Sequence, residues 1–301
     1  MALALGGCEK IKTKLYPPDV AVIDQVWVRD STTVAKGPAI LFRTFRKGDT
    51  RLLIPIGTMQ NSNITMLRMS KRGWNYLDIA ALGTGSVTPI HDGQPAGAVK
   101  ISQRMWENAA TPLDSMDRCP NMIPHILAPM PSGSQLAVMN YPLPSGLKTM
   151  TEAQTSEALS KIPQLVTPTI GVRPAQLARY TRTVRQVLRK DAEPALLVEY
   201  HDDAVDSDTS TLGLRRPRHI VIVMEKGMYG YRPGWVYSTT GTTSDRPALR
   251  FLDSFDVDGD GKSELFFGVD VPNGWSYTLG FKAENGSWTE FWRRNSARCD
   301  V

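Results

Sequence analysis

The chain has 301 residues, a mass of 33.3 kDa and 41% hydrophobic residues, enough to bury one large β domain or two smaller ones. Its formal charge of +5 and its pI near 9.1 indicate a mildly basic surface, which points to acidic partners. No apolar run approaches the roughly 20 residues of a membrane-spanning helix. The sequence also lacks a dense basic stripe with interleaved aromatic residues, which would indicate nucleic-acid binding. The sequence therefore supports neither a protein with membrane-spanning helices nor a nucleic-acid-binding protein.

The first eight residues are apolar or small and end in a cysteine. The stretch from Leu5 to Cys8 resembles the lipobox of bacterial lipoprotein signals, although the cationic part and most of the hydrophobic part of such a signal are missing. This resemblance implies a signal remnant over residues 1–10, lipidation of Cys8 and a lipid-anchored periplasmic protein. An ordinary apolar terminus with a free thiol is the alternative. The other two cysteines, Cys119 and Cys299, form either a disulfide or two buried thiols.

Residues 15–105 are predicted to form an N-terminal β region. Short runs of β-branched and aromatic residues alternate there with Gly, Pro and Asp, which is typical of strands separated by turns. The expected strands cover residues 19–30, 39–46 and 51–57, and the expected hairpin joins 63–69 to 74–82.

Residues 106–165 differ from the regions around them. Seven prolines between positions 112 and 144 argue against any regular element, while several methionines keep this stretch apolar. Because so long a connection is unusual inside a compact domain, we expect an ordered insertion or a crossing between lobes, tied down by Cys119. A short helix should follow, with Thr151 and Gln154 as a capping box and Pro163 as its stop.

Residues 166–301 contain a weak internal repeat. Two similar pentapeptides, which start at Arg173 and Arg246, each lead to an apolar run, at 194–200 and at 263–269. Two strand-like segments follow each run, 219–225 with 234–238 and 274–282 with 288–292. This recurrence predicts a mainly β fold, a propeller-like or repeated antiparallel β-sheet array with the Pro/Met-rich insertion and one or two short helices.

The segment 176–190 fits two structures. Its arginines have near-helical spacing, which predicts a basic amphipathic helix, whereas its β-branched residues and the repeat predict a strand. In either case these arginines form a solvated face or bind an acidic partner; they are Arg179, Arg182, Arg185 and Arg189. Tryptophans near the C-terminus are either core residues or part of a partner-binding surface; they are Trp275, Trp288 and Trp292.

An acidic run, from Asp256 to Glu264, lies between two apolar segments. It has carboxylates at loop positions one, three, five and nine and a glycine at position six, which suits a tight turn around a hard cation. Without a cation, carboxylates this close would repel one another. An EF-hand is excluded, because its bidentate Glu at position twelve is replaced by Phe267 in a strand-like run.

With this spacing, residues 246–292 resemble the FG-GAP repeat family, also called VCBS or integrin-like, whose hairpin loops read D-x-D-x-D-G-x-x-D/E. The resemblance implies a bound Ca²⁺ that stabilises the fold and takes no part in catalysis. The ligands it implies are the side chains of Asp256, Asp258, Asp260 and Glu264 and the main-chain carbonyl of Lys262. A solvated Asp-Gly turn without an ion is the alternative.

Known catalytic motifs are missing from the sequence. The chain has four histidines, none at a metal-binding spacing, and it has no nucleophile elbow, phosphate-binding loop or dinucleotide fingerprint. The stretch from His201 to Asp208 is either a solvated hairpin loop or a second polar site, which would assist a second cation or a general base with His201. We therefore expect no enzymatic activity and no nucleic-acid partner.

These features lead to three hypotheses about function. The first is a non-enzymatic, lipid-anchored periplasmic protein that binds another protein. Such proteins resemble immunity proteins, which neutralise antibacterial effectors of type VI-like secretion. The second is a hydrolase or lyase with a β-propeller scaffold that acts on envelope carbohydrate. Its candidate active-site residues are His201, Asp202 and Asp203. The third is a structural envelope module whose only ligand is Ca²⁺.

Overall fold

A computed structural model describes residues 39–47, 49–60, 63–66, 85–108, 124–190, 192–202, 219–239, 248–270 and 276–295. Within these ranges the chain is mainly β, as predicted, and its strands form three antiparallel sheets. Outside the described residues lie the predicted strand 19–30, the second half of the predicted hairpin, Cys8, Cys119, Asp203, Trp275 and Cys299.

The first sheet has nine strands in the described part of the chain. They are β1 Ala39–Lys47, β2 Thr50–Gln60, β3 Asn63–Met66, β4 Gly85–His91, β5 Gln94–Pro95, β6 Val99–Ile101, β7 Trp106–Asn108, β8 Pro124–Ala128 and β9 Leu136–Met139. The main path runs β5-β4-β9-β1-β2-β8-β7, with β3 beside β2 and β6 beside β4. The strands predicted over 39–46 and 51–57 correspond to β1 and β2.

The prediction that prolines keep residues 106–150 free of regular structure is wrong. This segment contributes β7, β8 and β9 to the first sheet. Pro124 is the first residue of β8, and Pro129 follows its last residue. At the ends of a strand, the missing N–H of proline disturbs the hydrogen-bond ladder least.

Three helices follow the first sheet: α1 Glu152–Leu165, α2 Thr167–Ile170 and α3 Pro174–Leu177. The predicted capping box is present, since Gln154 N–H donates to Thr151 Oγ1 at 3.2 Å and Thr151 N–H donates to Gln154 Oε1 at 2.8 Å. Pro163 does not stop α1, which continues to Leu165. The fully buried side chain of Ile162 packs against the second sheet and holds the last turn in place.

The second and third sheets have four consecutive strands each. The second contains β10 Thr181–Val187, β11 Ala195–His201, β12 His219–Gly227 and β13 Gly230–Thr239. The third contains β14 Arg250–Phe255, β15 Glu264–Asp270, β16 Ser276–Glu284 and β17 Ser287–Asn295. Their identical strand order corresponds to the predicted repeat. Residues 181–187 are therefore strand and not helix, because β10 pairs with β11 along its whole length.

The sheets stack face to face, with the third sheet in the middle. Side chains alternate along β15, so that Phe266 enters a core shared with the first sheet, while Phe267 enters a core shared with the second. The three helices cover the other face of the second sheet. All three sheets are open within the described ranges, where no closed barrel or propeller is formed. None of the described helices is long and apolar enough to cross a bilayer.

Candidate metal centre

The acidic loop connects β14 to β15 and brings three aspartates together. Asp256 is buried, Asp258 is half-buried and Asp260 is exposed. One carboxylate oxygen from each lies within 4.8 Å of the others. Two oxygens that bind the same Ca²⁺ lie at most about 5 Å apart, so the three aspartates can serve one ion.

Backbone amides hold the aspartates in this arrangement. Gly259 N–H donates to Asp256 Oδ1 at 2.7 Å, and Gly261 N–H donates to Asp256 Oδ2 at 2.9 Å. The Oδ1 atoms of Asp258 and Asp260 accept bonds from the N–H groups two residues further on, at 3.1 and 2.7 Å. Gly259 and Gly261 have φ angles of +77° and +83°, which other residues rarely adopt.

Glu264 lies at the base of the loop and is 3% exposed. Its Oε2 accepts the N–H of Val257 at 2.7 Å. Burial raises the pKa of Glu264 to about 8, the Val257 bond lowers that pKa in part, and the three aspartates raise it further. Among the described residues, Glu264 is not part of the group within 4.8 Å. Its role as a ligand stays a prediction.

The lysine side chains near the acidic loop do not balance the charge of its carboxylates. Lys262 Nζ lies 3.3 Å from Asp260 Oδ2, and both side chains are nearly half exposed. Lys282 on β16 is attracted by Asp258 and Glu264, but its nearest partner is Glu284, at 2.7 Å. The loop therefore keeps an excess of oxygen donors and negative charge, which fits a hard cation such as Ca²⁺ better than a metal that prefers nitrogen or sulfur ligands.

Tyr141 joins the acidic loop to the first sheet. It follows β9, and its hydroxyl donates to the carbonyl oxygens of Val257, at 2.7 Å, and Asp256, at 3.2 Å. Burial and the nearby carboxylates raise the pKa of Tyr141 to about 12, so the hydroxyl keeps its proton at neutral pH. No signal in the sequence indicated this contact, because the two partners are more than a hundred residues apart.

The equivalent loop of the second sheet lies against the acidic loop from the other side. Lys190 N–H donates to the carbonyl oxygen of Gly261 at 2.6 Å, and Arg189 forms a β-bridge with Lys262. The carbonyl oxygen of Arg189 accepts the N–H of Lys148 at 2.7 Å. No signal in the sequence indicated that these two loops touch.

The arginines and tryptophans considered for partner binding are divided between surface and core. Arg179, Arg182 and Arg185 are exposed, whereas Arg189 is buried and paired with Glu225. Trp288 and Trp292 are each 6% exposed and lie on opposite sides of the third sheet. The core interpretation therefore fits these two tryptophans. For Arg189 the expected solvated face is wrong, because its side chain is buried and paired with Glu225.

The second polar site considered from the sequence is only partly described. His201 is exposed at the end of β11, and its ring centroid lies 6.0 Å from that of His219. Burial lowers the pKa of His219, whose Nε2 lies 2.6 Å from the carbonyl oxygen of Leu249. Asp202 is buried.

A different polar pocket, of about 50 Å³, lies where the three sheets meet. Five of its lining residues are ionisable: His91, Asp92, Arg185, Glu199 and Asp253. They come from β4 and the turn after it, from β10 and β11, and from β14. Sequence reasoning missed this pocket, because no local spacing relates residues so far apart in the chain.

Comparison of the chain with protein-family models, curated proteins and solved structures finds no match.

Proposed function

We propose that the acidic loop binds Ca²⁺ as a structural ion, and that the chain is a calcium-stabilised, non-enzymatic binding protein. The grouping of Asp256, Asp258 and Asp260 within 4.8 Å is the observation that carries this proposal. The loop also makes hydrogen bonds to Tyr141 and to Lys190, which belong to the segments next to β9 and β10. An ion in the loop would relieve carboxylate repulsion at a point where all three sheets are joined.

A calcium titration followed by thermal melting tests the ion. At a free Ca²⁺ concentration one hundred times the dissociation constant, the folded state gains about 2.7 kcal/mol, which corresponds to a rise of roughly 5 °C in Tm. Asp258→Asn should abolish this gain. In chelator the same variant should be as stable as the wild type or slightly more stable, because one repelling charge is removed.

Glu152→Gln is the matched control, since it removes one exposed carboxylate at the start of α1, in a different segment of the chain. It should keep the full response to Ca²⁺. A Tm that chelation leaves unchanged in the wild type would contradict a structural ion. A response to Mg²⁺ as large as that to Ca²⁺ would contradict calcium as the specific ion.

The second and third sheets are proposed to be blades of a propeller-like array. Each is a consecutive four-stranded antiparallel sheet, and the two pack face to face through a shared apolar core. The resemblance of the acidic loop to FG-GAP repeats favours the same architecture. An experimental structure of the full chain tests the proposal, and sheets that do not continue into a ring of blades would contradict it.

We further propose that the chain is a periplasmic protein anchored to the bacterial membrane by a lipid on Cys8, and that it binds another protein. Its most concrete form is an immunity protein against a secreted antibacterial effector. The pocket between the sheets, of about 50 Å³, is far smaller than the roughly 300–1,000 Å³ of ordinary ligand sites, which disfavours a carbohydrate substrate there.

Co-expression with the product of the neighbouring gene tests the immunity role. We expect that product to be toxic alone in the periplasm, to be neutralised by this chain and to form a complex with it. A harmless neighbour, or one that forms no complex, contradicts the immunity role. A Ca²⁺ response without any protein complex would instead favour a structural envelope module.

A further inference from the structure

The pocket between the three sheets has a buried floor and an open rim. Asp253 on β14 forms the floor and is 3% exposed. Asp92 and Arg185 form part of the rim, where their side chains are 53% and 42% exposed. The Arg185 Nε lies 3.3 Å from Asp92 Oδ1, so this guanidinium is engaged across the mouth of the pocket.

Two carboxylates in the pocket each have one oxygen engaged by the backbone. Asp253 Oδ1 accepts the N–H of Gly93 and the N–H of Ser254, both at 2.8 Å. Glu199 Oε1 accepts the N–H of Phe251 at 3.0 Å. Within the described ranges, Asp253 Oδ2 and Glu199 Oε2 make no such bond, although both residues line the pocket.

Charge in the pocket favours a positive ligand. Asp92, Glu199 and Asp253 bring three carboxylates, against the two guanidinium groups of Arg185 and the nearby Arg250. The imidazole of His91 also lines the pocket, and its Nε2 lies 3.7 Å from Asp92 Oδ2. Burial raises the pKa of Asp253 to about 6 and also raises the pKa of Glu199.

We propose that this pocket receives the cationic head of one lysine or arginine side chain from a protein partner. The proposal rests on the binding role proposed above and gives that role a site. A volume of about 50 Å³ accommodates an ammonium or guanidinium group but not a whole metabolite. The open oxygens of Asp253 and Glu199 supply charge-assisted hydrogen bonds at its base.

A metal ion and an anion fit the pocket less well. The carboxylates of the pocket do not form a group within ligand distance, since among the described residues only the three loop aspartates do so. An anion would face the floor of buried carboxylates. A guanidinium or ammonium group needs hydrogen-bond acceptors, such as carboxylate oxygens, but does not need the tight geometry of a metal site.

Nuclear magnetic resonance of the full chain, labelled with ¹⁵N and in buffer with Ca²⁺, tests the proposal. Methylguanidinium chloride and methylammonium chloride are the probes, with sodium chloride at equal ionic strength and sodium acetate as controls. We expect a saturable shift of the amide signals of Gly93, Phe251 and Ser254 with at least one of the two cationic probes. Asp253→Asn should weaken this binding roughly tenfold or more, because a charged acceptor is lost.

Glu152→Gln should leave the probe affinity unchanged. If Asp253→Asn fails to fold, Glu199→Gln serves as the second variant and should weaken binding in the same way. Shifts equal to those in sodium chloride, or an affinity that neither variant alters, would overturn the proposal and leave a water-filled recess. Because the probes are small molecules, this result is independent of the calcium titration and of complex formation with the neighbouring gene product.

Discussion

The loops 188–194 and 256–263 occupy equivalent places in the second and third sheets but are stabilised differently. The first carries Arg189, whose guanidinium is buried, is paired with Glu225 and lies 5.9 Å from the ring of Trp288. The second carries the three grouped aspartates. In the second sheet this loop thus carries a positive charge of its own, on Arg189. In the third sheet, we propose, a bound cation supplies the positive charge.

The two sheets also differ in charge at one equivalent strand position. Leu197 on β11 pairs with Arg185, and the equivalent Phe266 on β15 pairs with Asp253. The two residues of opposite charge line the same pocket. The second and third sheets thus share strand order and packing, but the loop and this strand position carry basic residues in the second sheet and acidic residues in the third.

The largest expected effect comes from the basic loop. Arg189→Met should lower the free energy of unfolding by roughly 3–5 kcal/mol, because Glu225 would stay mostly buried without its partner. Urea denaturation of the single variant and of Arg189→Met/Glu225→Met measures this. The double variant should recover most of the loss, since no unpaired charge remains. A single variant as stable as the wild type would show that the buried pair does not hold this loop.

A smaller effect of opposite sign is expected in the acidic copy at Asp253. Its pKa in the folded state, about 6, lies above its ordinary value of 3.8. The folded state therefore binds the proton more strongly, and stability falls as pH rises through this window. Asp253→Asn can keep both accepted bonds without a charge, so it should be more stable than the wild type at pH 7.5 by roughly 1–3 kcal/mol.

Thermal or chemical denaturation across pH 3.5 to 7.5 measures this difference. The two proteins should nearly converge at pH 3.5, where Asp253 is protonated in the folded chain and mostly protonated in the unfolded chain. A difference that is constant over the whole range would indicate a packing effect and contradict the charge argument.

The smallest expected effect is at the contact between the acidic loop and the first sheet. Tyr141→Phe removes the hydroxyl that donates to Val257 and Asp256 but keeps the ring beside Phe255. It should cost about 1 kcal/mol of stability. Tyr229→Phe, at a side chain that is 96% exposed, should cost nothing in the same denaturation experiment. Equal stability of both variants would mean that this contact adds nothing.

Local sequence signals predicted much of the second half of the chain. The Thr151 capping box, the strand-rich repeat and the spacing of the loop aspartates each involve residues close together in the chain, where backbone geometry fixes their relation. In residues 176–190 the spacing of the arginines predicted a helix and the β-branched residues predicted a strand. Residues 181–187 form a strand because they pair with β11. The prediction for residues 106–150 was wrong because a proline disturbs a sheet inside a strand but is tolerated at its end.

By itself, the sequence determined the mainly β character, the repeat and a loop with closely spaced carboxylates. Only the tertiary structure decided that Trp288, Trp292 and Arg189 are buried, that Tyr141 and Lys190 hold the acidic loop from two sides, and that Asp253 shares a pocket with Arg185. The physical reason is distance along the chain. Gly93 and Asp253 are 160 residues apart, and only the stacking of the sheets brings them within hydrogen-bond distance.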